Sequence, residues 1–129
     1  MSQVIIALGS NTRQAVHIQW ASQRLACLLH EARFSRTLWT TDIKGTGVMY
    51  MNRLVRGTTS LNHDDLQRLL KSIEAQAGRL PSHTPLPSRG GAGVGSVPLD
   101  LDILLFDNVR HHLADWSRTY VQQLIADIL

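Results

Sequence analysis

Val4-Ile5-Ile6-Ala7-Leu8 is an unbroken apolar run closed by Gly9-Ser10-Asn11, the pattern of a strand buried on both faces and followed by a turn. Asn11 is placed to cap a helix, with Gln14 three residues on, and Ala15, Ile18, Ala21, Leu25 and Leu28 then recur at spacings of three and four. From about Arg33 to Thr41, Phe34, Arg36, Leu38 and Thr40 alternate with Ser35, Thr37 and Trp39, which predicts one β-strand. Val48 to Arg56 reads as the next strand. Asp42 to Gly47 between them is turn-rich and forms a long hairpin loop able to fold over a ligand.

Asn62 caps a second helix whose apolar stripe is Leu66, Leu69, Leu70, Ile73 and Ala77, with Leu61 and Leu66 as staple and Gly78 as stop. Leu80 to Pro98 holds four prolines, four glycines and three serines, a composition that predicts a mobile loop. Leu99 to Phe106 resumes as an apolar strand, Asp107 to Asp115 is polar, and Tyr120, Leu124 and Ile128 mark a helix between Trp116 and Leu129. The order strand, helix, strand, strand, helix, strand predicts an α+β, ferredoxin-like βαββαβ sandwich. Its sheet is antiparallel, its helices cover one face, and the other face is free to bind something.

A chain of 129 residues is enough for one domain, 1–129, with a core of its own. At 43% hydrophobic and 18% charged residues it is neither disordered nor membrane-bound in composition, and no apolar run approaches the ~20 residues that span a bilayer. The N-terminus lacks the basic and apolar regions of a signal peptide, which points to the cytoplasm. Cys27, the single cysteine, is expected to be a buried, inert helix residue among leucines. The net charge of +3 permits anionic ligands, but the basic residues are scattered, so a nucleotide satisfies it as well as nucleic acid does.

The most informative segment is Leu99-Asp100-Leu101-Asp102-Ile103. On a strand, Asp100 and Asp102 share one face while Leu99, Leu101 and Ile103 turn to the other. Two carboxylates this close fit Mg²⁺, and also fit a solvated sheet face or ion pairs with arginines. Tyr50 and Asn52 likewise share a strand face, an aromatic and an amide suited to a flat heterocycle or simply to cross-strand packing. Glu74 with Gly78-Arg79 ends the second helix at the loop mouth, and Arg118 with Tyr120 offers a guanidinium and a ring at the start of the last helix. The histidines have no metal-binding spacing, with His111-His112 expected in an exposed loop. No P-loop occurs, so phosphotransfer here needs another architecture.

Taken in order, Gly9-Ser10-Asn11, Tyr50-x-Asn52, Glu74 with Gly78-Arg79, the Asp100-Leu101-Asp102 strand and Arg118-x-Tyr120 resemble the 6-hydroxymethyl-7,8-dihydropterin pyrophosphokinase family over nearly the whole chain. The resemblance implies transfer of pyrophosphate from ATP to a hydroxymethyl dihydropterin in folate synthesis. It implies two Mg²⁺ ions on Asp100 and Asp102, a pterin between Tyr50 and Tyr120 with Asn52 on its edge, and Glu74, Arg79 and Arg118 toward the nucleotide. The partners implied are small molecules, with neither nucleic acid nor membrane. Three positions depart from the family pattern: Val97 and Pro81 stand where arginines are expected, and a Pro-His segment is missing between the Asp strand and Arg118. Arg89 is a candidate replacement for a lost arginine. A non-catalytic pterin- or nucleotide-binding relative is the second reading, and an unrelated ferredoxin-like interaction domain the third.

Overall fold

A computed structural model describes residues 1–41, 47–79 and 96–129. The described residues form, in order, β1 (Ser2–Ser10), α1 (Gln14–Leu28), β2 (His30–Phe34), β3 (Leu38–Thr41), β4 (Met49–Thr59), α2 (His63–Ala77), β5 (Asp100–Phe106), β6 (Val109–Arg110), α3 (Leu113–Trp116) and α4 (Thr119–Ile128). The chain thus has an α+β fold with an open sheet in the order β2-β4-β1-β5-β6, β3 pairing with β4. Among the described residues every strand pairing is antiparallel.

The apolar run in β1 is explained by its central place. Val4, Ile6 and Leu8 pack with Ile18, Ala21 and Leu25 of α1 and Leu66, Leu70 and Ile73 of α2 on one face. Ile5 and Ala7 pack with Leu54, Leu104 and the Val121, Leu124 and Ile128 stripe of α4 on the other. Burial of each large aliphatic side chain stabilises the fold by about 1.5–3 kcal/mol. The two helices of the βαββαβ core therefore share a face, as their order predicts. The opposite face, expected to be open, is covered at one end by α4, because the four-residue spacing of Tyr120, Leu124 and Ile128 supplies a stripe that needs an apolar partner.

Asn62 caps α2 by accepting from the Asp65 N–H at 2.8 Å. Asn11 does not cap α1: that helix begins after Arg13, whose backbone is left-handed, and no side chain caps it. The single strand read from Arg33 to Thr41 is two strands. They part at Ser35, whose Oγ accepts from the Leu54 N–H at 2.8 Å while its own N–H donates to Leu54 O at 2.9 Å. A side chain has entered the ladder there, which displaces the backbone as a bulge does. Cys27 is exposed, since the buried stripe of α1 runs through His17, Ile18, Ala21, Ser22 and Leu25. Of the hairpin loop expected from Asp42 to Gly47, residues 42–46 lie outside the described residues, as do residues 80–95 of the loop expected from Leu80 to Pro98, Pro81 and Arg89 among them.

Candidate active site

Strand register assembles the site. Gly9 of β1 is paired on one side with Asn52 of β4 and on the other with Asp100 of β5, and the next row on that face joins Leu54, Ala7 and Asp102. Asn52, Gly9 and Asp100 thus lie side by side across the middle of the sheet, on the face that also carries α4. Tyr50 shares that face by the two-residue period of the strand. A Cβ placed on Gly9 would meet Asn52 Oδ1 at 3.7 Å and Tyr50 Cδ2 at 4.0 Å, so the missing side chain leaves a shallow floor beside the ring and the amide.

The Asn52 amide is oriented by β3. Its Nδ2 donates to Thr40 Oγ1 at 2.8 Å and to Leu38 O at 3.3 Å. A carbonyl can only accept, so Nδ2 is committed to β3 and Oδ1 is turned toward Gly9.

Asp102 is the electrostatic centre. Burial, then the neighbouring charge of Asp100, pushes its carboxyl up to about 6, against the opposing pull of His112; a hydrogen bond with Asp100 and the charge of Asp115 add to the rise. His112 Nε2 is 3.8 Å from Asp102 Oδ1. His112 is exposed in a turn, as the sequence predicts, but nothing in the spacing of the histidines predicts its approach to Asp102. The chain turns at His112 through a left-handed conformation, φ 53°, which brings the ring to the Asp strand. The available signal was its position, between a strand bearing two carboxylates and Arg118. His111 stacks on His63 with ring centres 4.6 Å apart, and burial, then the charges of His63 and His112, lower its pKa.

At the start of α4, Arg118 lies over the Tyr120 ring with its guanidinium carbon 4.8 Å from the centroid, and its Nη1 is 3.8 Å from Asp115 Oδ1. The Tyr120 hydroxyl is pushed up mainly by burial, against the opposing charge of Arg118 and with Asp115, Asp102 and Asp100 adding to the rise, and its ring packs on the Ile5, Ala7, Leu54 and Leu104 cluster of the same sheet face. Tyr50, Asn52, Asp100, Asp102, Arg118 and Tyr120 are therefore gathered on one side of the sheet. Glu74 approaches from α2. Its Oε2 accepts from the Leu101 N–H at 2.6 Å and its Oε1 pairs with Lys71 Nζ at 3.4 Å. Among the described residues β6 pairs with Leu105 and Phe106 and does not reach Leu101, and Glu74 supplies that N–H with an acceptor between the two aspartates. Arg79 is exposed just past the end of α2, its N–H donating to Gln76 O at 3.0 Å.

Residues 5–129 match the family described as 7,8-dihydro-6-hydroxymethylpterin-pyrophosphokinase (HPPK). The chain belongs to this family. Among its relatives is the mitochondrial folate synthesis bifunctional protein of Arabidopsis thaliana, 30% identical over 146 residues, an alignment covering 98% of this chain and 23% of that protein. A second Arabidopsis folate synthesis bifunctional protein is 29% identical, with 98% of this chain and 27% of the relative covered. The mitochondrial protein of Pisum sativum is 28% identical, with 98% and 25% covered. The chain thus spans about a quarter of the length of these curated relatives. Among the described residues, no group of three or more His, Cys, Asp or Glu side chains forms a ready metal cage, and no helix is long and apolar enough to cross a membrane. In this HPPK family member the carboxylates available beside the Asn52–Gly9 floor are a pair, and a pair fits a cation that takes its remaining ligands from phosphate and water.

Proposed function

We propose that this chain transfers the pyrophosphoryl group of ATP to the hydroxymethyl group of 6-hydroxymethyl-7,8-dihydropterin, as a step of folate synthesis. The observation that supports it most is the row Asn52, Gly9 and Asp100 across three neighbouring strands, which puts a floor for a flat ring directly beside a carboxylate pair. In the reaction the hydroxyl oxygen attacks the β-phosphorus and loses its proton. The bond from that phosphorus to the oxygen shared with the α-phosphate breaks, and AMP leaves.

Each residue has a defined part. Tyr50 and Tyr120 offer ring faces to the pterin, and Asn52 offers Oδ1 to an N–H on its edge. Arg118 and Arg79 carry positive charge toward the triphosphate, and Arg118 is already held over Tyr120. His112, facing Asp102, adds a donor at the junction of pterin and phosphate. Glu74 keeps the Asp strand in place through Leu101, and its free lone pairs lie on the nucleotide side of that strand in this reading. Asp100 and Asp102 would hold Mg²⁺, which supplies charge neutralisation and alignment of the reacting oxygens. The raised proton affinity of Asp102 fits this role, since two crowded carboxylates are relieved by a cation.

The test is direct. The purified chain is incubated with ATP, Mg²⁺ and the hydroxymethyl dihydropterin, and AMP and the pterin diphosphate are measured by chromatography. Equal amounts of both products, formed only when Mg²⁺ is present, are expected. Pterin binding without any AMP would leave the chain a binding relative instead.

A further inference from the structure

Asn11, which the sequence marks as a helix cap, does something else in the fold. It follows β1 directly, and three of its hydrogen bonds run to two other parts of the site. Its main-chain N–H donates to Val97 O at 3.0 Å, its Oδ1 accepts from the Val97 N–H at 2.6 Å, and its Nδ2 donates to Tyr50 Oη at 3.3 Å. The Val97 N–H can only donate, so Oδ1 must face it and Nδ2 must face the phenol. An inverted amide would oppose donor to donor at Val97.

Val97 stands three residues before Asp100, on the chain that enters β5, and Tyr50 is the ring beside the Gly9 floor. We infer that Asn11 is a positioning residue that couples the ring of Tyr50 to the backbone entering the Asp100–Asp102 strand. This rests on the proposed function, in which one substrate lies against Tyr50 and the other against the aspartates. Neither wall then moves without the other, because a single planar amide spans both. The Val97 main chain is held by both its N–H and its carbonyl, so the entry to β5 is fixed in register as well as in distance.

The test compares Asn11→Ala, Asn11→Asp, Tyr50→Phe and the double variant Asn11→Ala/Tyr50→Phe. Hydrogen exchange at the Val97 amide and the Tyr50 ring signals, both by NMR without ligand, read the link. Calorimetric titration with 6-hydroxymethyl-7,8-dihydropterin reads its consequence. Asn11→Ala is expected to speed Val97 exchange, shift the Tyr50 signals and weaken the pterin about tenfold. Asn11→Asp keeps an acceptor for the Val97 N–H, so it retains Val97 protection while still shifting Tyr50. It remains informative even where the alanine variant folds poorly. Tyr50→Phe should weaken the pterin less than Asn11→Ala does, and the double variant should match Asn11→Ala alone, since the hydroxyl matters only through the amide. Additive losses, or Val97 exchange unaltered by Asn11→Ala, overturn the inference. Failure of the unmodified chain to bind any pterin would overturn the proposed function instead, with the two ligand-free readings still deciding whether Asn11 joins Val97 to Tyr50.

Discussion

His112 Nε2 and Asp102 Oδ1 face each other at 3.8 Å, yet Asp102 holds its proton more tightly than an ordinary carboxylate, up to about 6. The imidazole's pull is outweighed by burial and by Asp100. The folded chain thus binds a proton at Asp102 that the unfolded chain has released, and this stabilisation is full below the unfolded value of 3.8 and is lost as pH rises through about 6. Asp102→Asn should melt close to the unmodified chain near pH 4 and above it near pH 7.5, by on the order of 1–3 kcal/mol. Thermal melts across that range check it, and a melting difference independent of pH would sink it. Adding Mg²⁺ at neutral pH should raise the melting temperature of the unmodified chain more than that of the variant.

Asp100→Asn should leave the fold intact, because Asp100 is exposed while its neighbours Leu99 and Leu101 carry the packing. Product formation should nonetheless fall by at least about a hundredfold, since a lost metal carboxylate removes several kcal/mol of transition-state stabilisation. Turnover at saturating Mg²⁺ is the measurement. Unchanged turnover would exclude a metal role for this residue.

Gly9→Ala separates binding from stability. The added methyl meets Asn52 Oδ1 and Tyr50 Cδ2 at ordinary contact distances, 3.7 and 4.0 Å, so it fits the fold, and the loss of unfolded-state freedom offsets part of any strain. It also raises the floor on which the pterin ring would rest. The melting temperature should hold within a few degrees while pterin affinity drops about tenfold, a loss of roughly 1.4 kcal/mol. Undiminished affinity by calorimetry would move the pterin off this floor.

Glu74→Ala removes the acceptor from the Leu101 N–H, a bond of 2.6 Å at the edge of β5. An amide left without a partner there should cost about 1–3 kcal/mol in urea denaturation. Hydrogen exchange at Leu101 should rise with it. Glu74→Gln, which keeps a carbonyl acceptor, should recover most of the stability. Equal losses in both variants would mean that the negative charge, through Lys71, matters more than the bond to the strand.

Much of the fold was legible because its signals are local. The apolar run Val4 to Leu8 means a strand covered on both faces, the stripe from Leu66 to Ala77 means a helix against the sheet, and Asn62 just before that stripe is its cap. Period two also put Asp100 with Asp102 and Tyr50 with Asn52 on shared faces, since alternation is a property of the extended backbone alone. What the chain could not declare was pairing. Only the register that sets Gly9 between Asn52 and Asp100 makes a site from segments about fifty residues apart, and only tertiary packing lets α4 find the second face of the sheet. Asn11 and His112 show the same limit. One has the composition of a cap and the other that of an exposed loop, and their partners, Val97 with Tyr50 and Asp102, are brought to them by strand pairing and by a left-handed turn. A side-chain hydrogen bond reaches only about 3 Å, so its partner is decided by which segments the fold brings together, and sequence spacing does not encode that.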